Sequence, residues 1–126
     1  MPSRVYECGQ EEVEAARRML DYNPATDKSI TLDEYNELLK DKYKGVIFSK
    51  QECYVREGRE AGIQDGKYYI FINASEEFLG RAEERFAHEY KTIRRASPEA
   101  EQKITDLINA EQSRVNSGVG AIFGGF

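Results

Sequence analysis

The sequence is poor in the residues that metal centres and covalent catalysis draw on. It holds two cysteines, Cys8 and Cys53, and a single histidine, His88. Two thiols make no disulfide framework in a reducing compartment, and with one imidazole they do not complete a structural metal site. Both are expected to be ordinary buried thiols rather than a redox pair. Long apolar runs are missing as well. No uncharged stretch approaches the roughly 20 residues that a membrane-spanning helix needs, and the first residues, Met1 to Cys8, lack the apolar run of a signal peptide. A cytoplasmic protein with no membrane contact is the expectation, so the sequon Asn73-Ala-Ser75 is expected to stay unmodified. No Gly-Lys-Ser/Thr follows Gly58, Gly62 and Gly66, and no glycine-rich elbow marks a nucleophile. Positive charge is in deficit too: 18 Lys and Arg stand against 23 Asp and Glu, for a net charge of −5. A broad electrostatic grip on nucleic acid or anionic lipid is not favoured by that balance.

What is present argues for one packed domain spanning 1–126. Hydrophobic residues make up 40% of the chain, with 8 Tyr and 6 Phe, enough for a core in a chain of this length. Helix starts are well marked. Thr31-Leu-Asp-Glu34 and Ser49-Lys-Gln-Glu52 have the capping-box form, in which each end caps the other's free amide. Ser75-Glu-Glu and Ser97-Pro-Glu place a cap residue before acids, with Pro98 where a missing N–H costs nothing. Apolar residues follow at helical spacing: Val13, Ala16 and Leu20 predict a helix over 10–21, and Leu32, Tyr35, Leu39 and Tyr43 one over 32–43. Phe78, Ala82, Phe86, Tyr90 and Ile93 predict a third over 76–95, and Ala100, Ile104, Leu107, Ile108 and Val115 a fourth over 98–116. Between 44 and 74 the runs Gly45–Phe48 and Tyr68–Ile72 have strand length, Asp65-Gly66 reads as a turn, and the Ser49 cap suggests a short helix. The fold class expected is mainly α: a compact array of four to five helices, with room for a small two-stranded element in 44–74.

Three constellations could carry chemistry. The loop Asn23-Pro-Ala-Thr-Asp27-Lys-Ser29-Ile-Thr31-Leu-Asp-Glu34 resembles an EF-hand calcium loop, whose ligand positions would fall on Asn23, Ala25, Asp27, Ser29, Thr31 and Glu34. It departs from that pattern at Asn23, at Ala25, which offers no side-chain oxygen, and at Lys28, where a glycine makes the sharp turn. A helix–loop–helix without metal accounts for the same residues, with Thr31 and Glu34 as a capping box. His88 has Glu84 one turn before it, an arrangement that could orient an imidazole for base catalysis with Cys53 or a tyrosine as partner. The pairs Arg17-Arg18 and Arg94-Arg95, with tyrosines interleaved, are material for a nucleic-acid surface. They are also what a helix C-terminus attracts, since cations there complement the helix dipole.

The last ten residues, Ser117 to Phe126, carry no side-chain charge although 33% of the chain is charged. Val115, Val119, Ile122 and Phe126 continue the apolar line of the fourth helix, and Gly120 and Gly124 repeat at an interval that lets helices approach closely. Val119, Ile122, Phe123 and Phe126 therefore require burial against the chain itself, a second copy, or another protein. The functional expectation is a non-enzymatic helical protein that needs no cofactor or metal and that forms a homodimer, or docks on a protein partner, through this segment. A nucleic-acid-binding module using Arg17, Arg18, Arg94 and Arg95 is the alternative, and a small enzyme or ligand-binding domain around His88 is the next. In its abundance of Glu, Lys and Arg, its dense helix caps and its lack of Trp, the chain resembles the short, charge-rich, uncharacterised proteins of thermophilic archaea. That resemblance implies a thermostable cytoplasmic protein and assigns no site.

Overall fold

A computed structural model of the chain describes residues 2–124, and their side chains as far as residue 114. The molecule is α/β, built on a four-stranded antiparallel sheet, and not the mainly α, all-helical bundle that the helix caps predict. Strand β1 (Ser3–Cys8) is followed by helices α1 (Val13–Asp21) and α2 (Leu32–Lys40), then by β2 (Glu52–Glu57), β3 (Tyr68–Asn73), α3 (Glu76–Glu89), β4 (Arg94–Arg95) and α4 (Pro98–Gly124). The spatial order is β2-β3-β1-β4, so the first strand made is interior and β2 and β4 are the edges.

Two-residue alternation sorts the strand side chains onto two covered faces. On one, Tyr6, Cys8, Ile70 and Ile72 pack with Val13, Ala16 and Leu20 of α1, with Leu79, Ala82 and Phe86 of α3, and with Val46 and Phe48 from the loop before β2. Phe48 stacks on Phe86 at 5.4 Å, and Tyr6 meets Phe86 edge-on at 5.1 Å, so aromatic rings seal this layer. On the other face, Val5, Tyr69 and Phe71 are covered by Ala100, Ile104 and Ile108 of α4. Strand β3 is apolar without alternation because both of its faces are buried, which explains why Tyr68–Ile72 reads as a continuous run.

Several local expectations are met and others corrected. The capping box at Thr31 and Glu34 is formed in both directions, and the Ser75 hydroxyl accepts the Phe78 amide. The second capping-box sequence, Ser49 to Glu52, starts no helix, because Glu52 opens β2. Helix α3 ends at Glu89 rather than 95. Ile93 enters the core from an extended segment, and Arg94 pairs with Glu7 of β1 as a strand residue. The predicted helix over 10–21 begins only at Val13. The Glu12 carboxylate instead accepts the amides of Lys91 and Thr92 and the Thr92 hydroxyl, tying the start of α1 to the approach of β4. Gly45–Phe48 forms turn and coil, and Asp65-Gly66 turns the chain into β3 with Gly66 at φ 72°.

Candidate interaction surface

The two edges of the sheet differ in how their polar groups are satisfied. At β4, Glu83 of α3 sits among three donors. It is ion-paired with Arg4, accepts the Tyr6 hydroxyl at 2.9 Å and lies 3.9 Å from Arg95. Arg95 also pairs with Glu101 at 3.1 Å, and Glu101 accepts the Val5 amide at 2.9 Å. Burial, then the hydrogen bond to Glu83, push the Tyr6 phenol well above its ordinary value, so it stays a neutral donor. Arg94 pairs with Glu7, which also holds Lys67. This edge is short, and both its arginines have carboxylate partners.

At β2 the outer side of the strand has no strand partner among the described residues, although most of its residues are half-buried. A cleft of about 420 Å³ is lined by four consecutive residues, Cys53 to Arg56, together with Arg17 and Asp21 of α1, which packs on one face of the sheet. The Gly58 amide donates to the Lys67 carbonyl, and the Glu57 amide turns outward to the Glu60 carboxylate. With the β2–β3 register, those two bonds fix the alternation: the backbone groups of Glu52, Tyr54 and Arg56 face β3, and those of Cys53 and Val55 face the cleft. Arg56 guards this edge. Its Nε and one terminal nitrogen grip Glu111 of α4, at 3.0 and 2.6 Å, and the other terminal nitrogen donates to the Val55 carbonyl at 2.8 Å. One residue further along α4, Gln112 donates to the Tyr54 hydroxyl at 3.0 Å.

The sequence-predicted residues are scattered by the fold. Arg17 lies over the ring of Tyr68 beside the β2 cleft, and Arg18 is exposed in the last turn of α1, whereas Arg94 and Arg95 lie at the opposite edge. The two pairs form no common stripe. His88 is exposed and stacks on Tyr43, with centroids 3.9 Å apart and planes 8° from parallel. Its neighbour Glu84 turns to Lys42. Cys53 lines the β2 cleft, which His88 does not, and its thiol donates to the Phe48 carbonyl. Burial pushes the Cys53 thiol up to about 12 and the Cys8 thiol up to about 11, with nearby carboxylates adding to both. Neither is a ready nucleophile near neutral pH. In the EF-hand-like loop, Asn23 caps the Ala25 amide, Asp27 accepts Ser29 and the Tyr22 hydroxyl, and Glu34 serves the capping box. Among the described residues no group of three or more His, Cys, Asp or Glu could hold a metal ion, and no helix is long and apolar enough to cross a membrane.

The side chains of Val119, Ile122, Phe123 and Phe126 lie outside the described residues. The helix that carries the first three is described, and its course matters. Helix α4 starts beside β1 and β4, where Glu101 meets Val5 and Arg95, and reaches the far edge at Glu111 and Gln112. It thus crosses the whole sheet and continues to Gly124. Sequence reasoning missed the β2 edge, although Cys-Tyr-Val at 53–55 has the aromatic and β-branched character of a strand. No family model matches the chain, and no curated protein or solved structure matches it.

Proposed function

We propose that the chain is a cytoplasmic, non-enzymatic docking protein that engages a protein surface through the extension of α4. The observation that carries this reading is the mismatch between helix and sheet. Among the described side chains, the contacts of α4 furthest along the helix are those of Glu111 and Gln112 at the β2 edge, and the helix runs on to Gly124. Twelve further residues correspond to about 18 Å of helix beyond that edge. After Arg114 the sequence drops its charges and keeps apolar residues at the spacing by which Ile104 and Ile108 face the sheet, a pattern suited to contact with protein rather than water. Two free cysteines, both with raised thiol pKa values, agree with a reducing compartment.

Ending the chain at Asn116 tests the reading. The expected product keeps the near-ultraviolet circular dichroism and the cooperative unfolding of the intact domain, because Ala100, Ile104 and Ile108 still cover the sheet. Collapse of the tertiary signal on truncation would make the segment part of the domain's own core and overturn the docking role.

A further inference from the structure

We infer that the partner is a second copy of this chain, joined edge to edge through β2 about a two-fold axis at Tyr54, an inference that rests on the docking role of α4. Only Cys53 and Val55 turn their backbone groups outward along the open part of this edge, so a second strand must pair with those two residues. In an antiparallel pair centred on Tyr54, Cys53 faces the second copy's Val55 and Val55 its Cys53. Each such pair exchanges two N–H···O bonds. The same register sets Glu52 opposite the second copy's Arg56 and Arg56 opposite its Glu52, all on the α4 face of the sheet. Opposite charges directly across an antiparallel ladder stabilise it, and the symmetry makes the match twice.

The guard on this edge fits the exchange. Arg56 holds Glu111 through two nitrogens and spends its third on the Val55 carbonyl. When a strand arrives, that third nitrogen leaves Val55 for the second copy's Glu52, and the grip on Glu111 remains. Uncombined, the edge is covered against random pairing, as exposed edges in folded proteins usually are. The overhang of α4 provides the second half of the contact. Its length of about 18 Å spans between three and four strand spacings of ~4.8 Å. It therefore extends over the second copy's β2, β3 and β1, alongside that copy's own α4, which the two-fold axis sets antiparallel to it. The product is an eight-stranded sheet with two neighbouring α4 helices on one face.

The test is molar mass by light scattering at about 100 μM, on the intact protein, on Val55→Pro and on the chain ended at Asn116, together with oxidative cross-linking. Proline at 55 removes an amide that serves no partner within the sheet, so the domain folds while the edge is blocked. The expected mass is twice the 14.4 kDa chain for the intact protein and 14.4 kDa for Val55→Pro. Tyr54→Cys should form a disulfide dimer on a non-reducing gel, because facing residues in a non-hydrogen-bonded pair lie about 4.5 Å apart at Cα. Glu52→Cys should not, because its own copy lies four residues along the ladder. An intact protein of 14.4 kDa, a Val55→Pro variant still at twice that mass, or equal cross-linking by both cysteine variants overturns the inference. If the chain ended at Asn116 is monomeric while Val55→Pro stays dimeric, the α4 reading stands and the edge pairing falls. If the truncated chain stays dimeric and Val55→Pro does not, the edge pairing stands and the α4 reading falls.

Discussion

The β4 and β2 edges of this sheet solve one problem in opposite ways. At β4 the strand is two residues long, and Glu83, Glu101 and Glu7 occupy its two arginines and Arg4 of β1. Only Arg95 turns its backbone groups away from β1 there, too short a stretch to seat another strand. The six-residue strand β2 has four residues, Cys53 to Arg56, along an open cleft, and the Arg56 guanidinium, held by Glu111, covers the Val55 carbonyl. The short edge is closed by length and charge, whereas the long one keeps the Cys53 and Val55 backbone turned outward beside the Arg56 side chain. Helix α4 joins the two, starting at the closed edge and passing over the open one.

Substitutions along α4 and at the two edges should grade accordingly. Ile104 is fully buried under the sheet. Ile104→Ala should cost about 2–5 kcal/mol in a urea titration, since it opens a cavity that neighbours cannot fill. At the closed edge, Glu12→Ala strands the Lys91 and Thr92 amides and should cost about 1–3 kcal/mol by the same measurement. At the open edge Glu111→Ala should cost at most about 1 kcal/mol, because the Arg56 pair is partly solvated. A larger loss there than at Glu12 would reverse the contrast between a locked edge and a loose one. Leu39 of α2 is exposed, and Leu39→Ser should shift stability by no more than about 0.5 kcal/mol.

Acid should act on both edges. Burial opposes ionisation of Glu12, but the hydrogen bonds from Thr92 and Lys91 outweigh it and hold its carboxyl below the usual range. Glu111 is held low by its hydrogen bonds with Arg56, against some burial. A carboxylate whose folded pKa lies below its unfolded one contributes stability in full above about pH 5, and that contribution is lost as pH falls through about 4 and below. Thermal melts at pH 7, 4 and 3 should show this fall, and Glu12→Gln should flatten it between pH 5 and 3.

The helices were legible because their signals are local. Thr31 with Glu34, Ser75 before two acids and Ser97 before Pro98 each announce a start within four residues. The sheet was not, because its evidence is long-range. Strand β1 alternates only as Arg-Val-Tyr-Glu-Cys, and Tyr6 and Val5 become recognisable as core only once α3 and α4 cover opposite faces. At β2 a local signal misled: Ser49 and Glu52 have the spacing of a cap, but the pairing of Glu52 with Asn73 prevails. The far end of α3 failed similarly, since Tyr90 and Ile93 keep helical spacing while the chain leaves the helix to put Arg94 and Arg95 beside β1. The site was half legible. The charge-free end of α4 stands out in the sequence, but that α4 crosses the sheet and leaves it over an open strand depends on where Glu111 and Gln112 land.

The interior position of β1 has a consequence for how the protein comes into being. Ser3 pairs with Asn73 and Cys8 with Tyr68, partners roughly sixty to seventy residues apart in the chain. Such distant pairing makes folding slow relative to helical proteins of the same size. During synthesis at about 5–20 residues per second, the first strand waits several seconds with Val5, Tyr6 and Cys8 uncovered before β3 emerges to receive it. The nascent chain therefore passes through a stage at which α1 and α2 can form while the sheet has no centre, with Val5, Tyr6 and Cys8 still waiting for the strand that pairs with them.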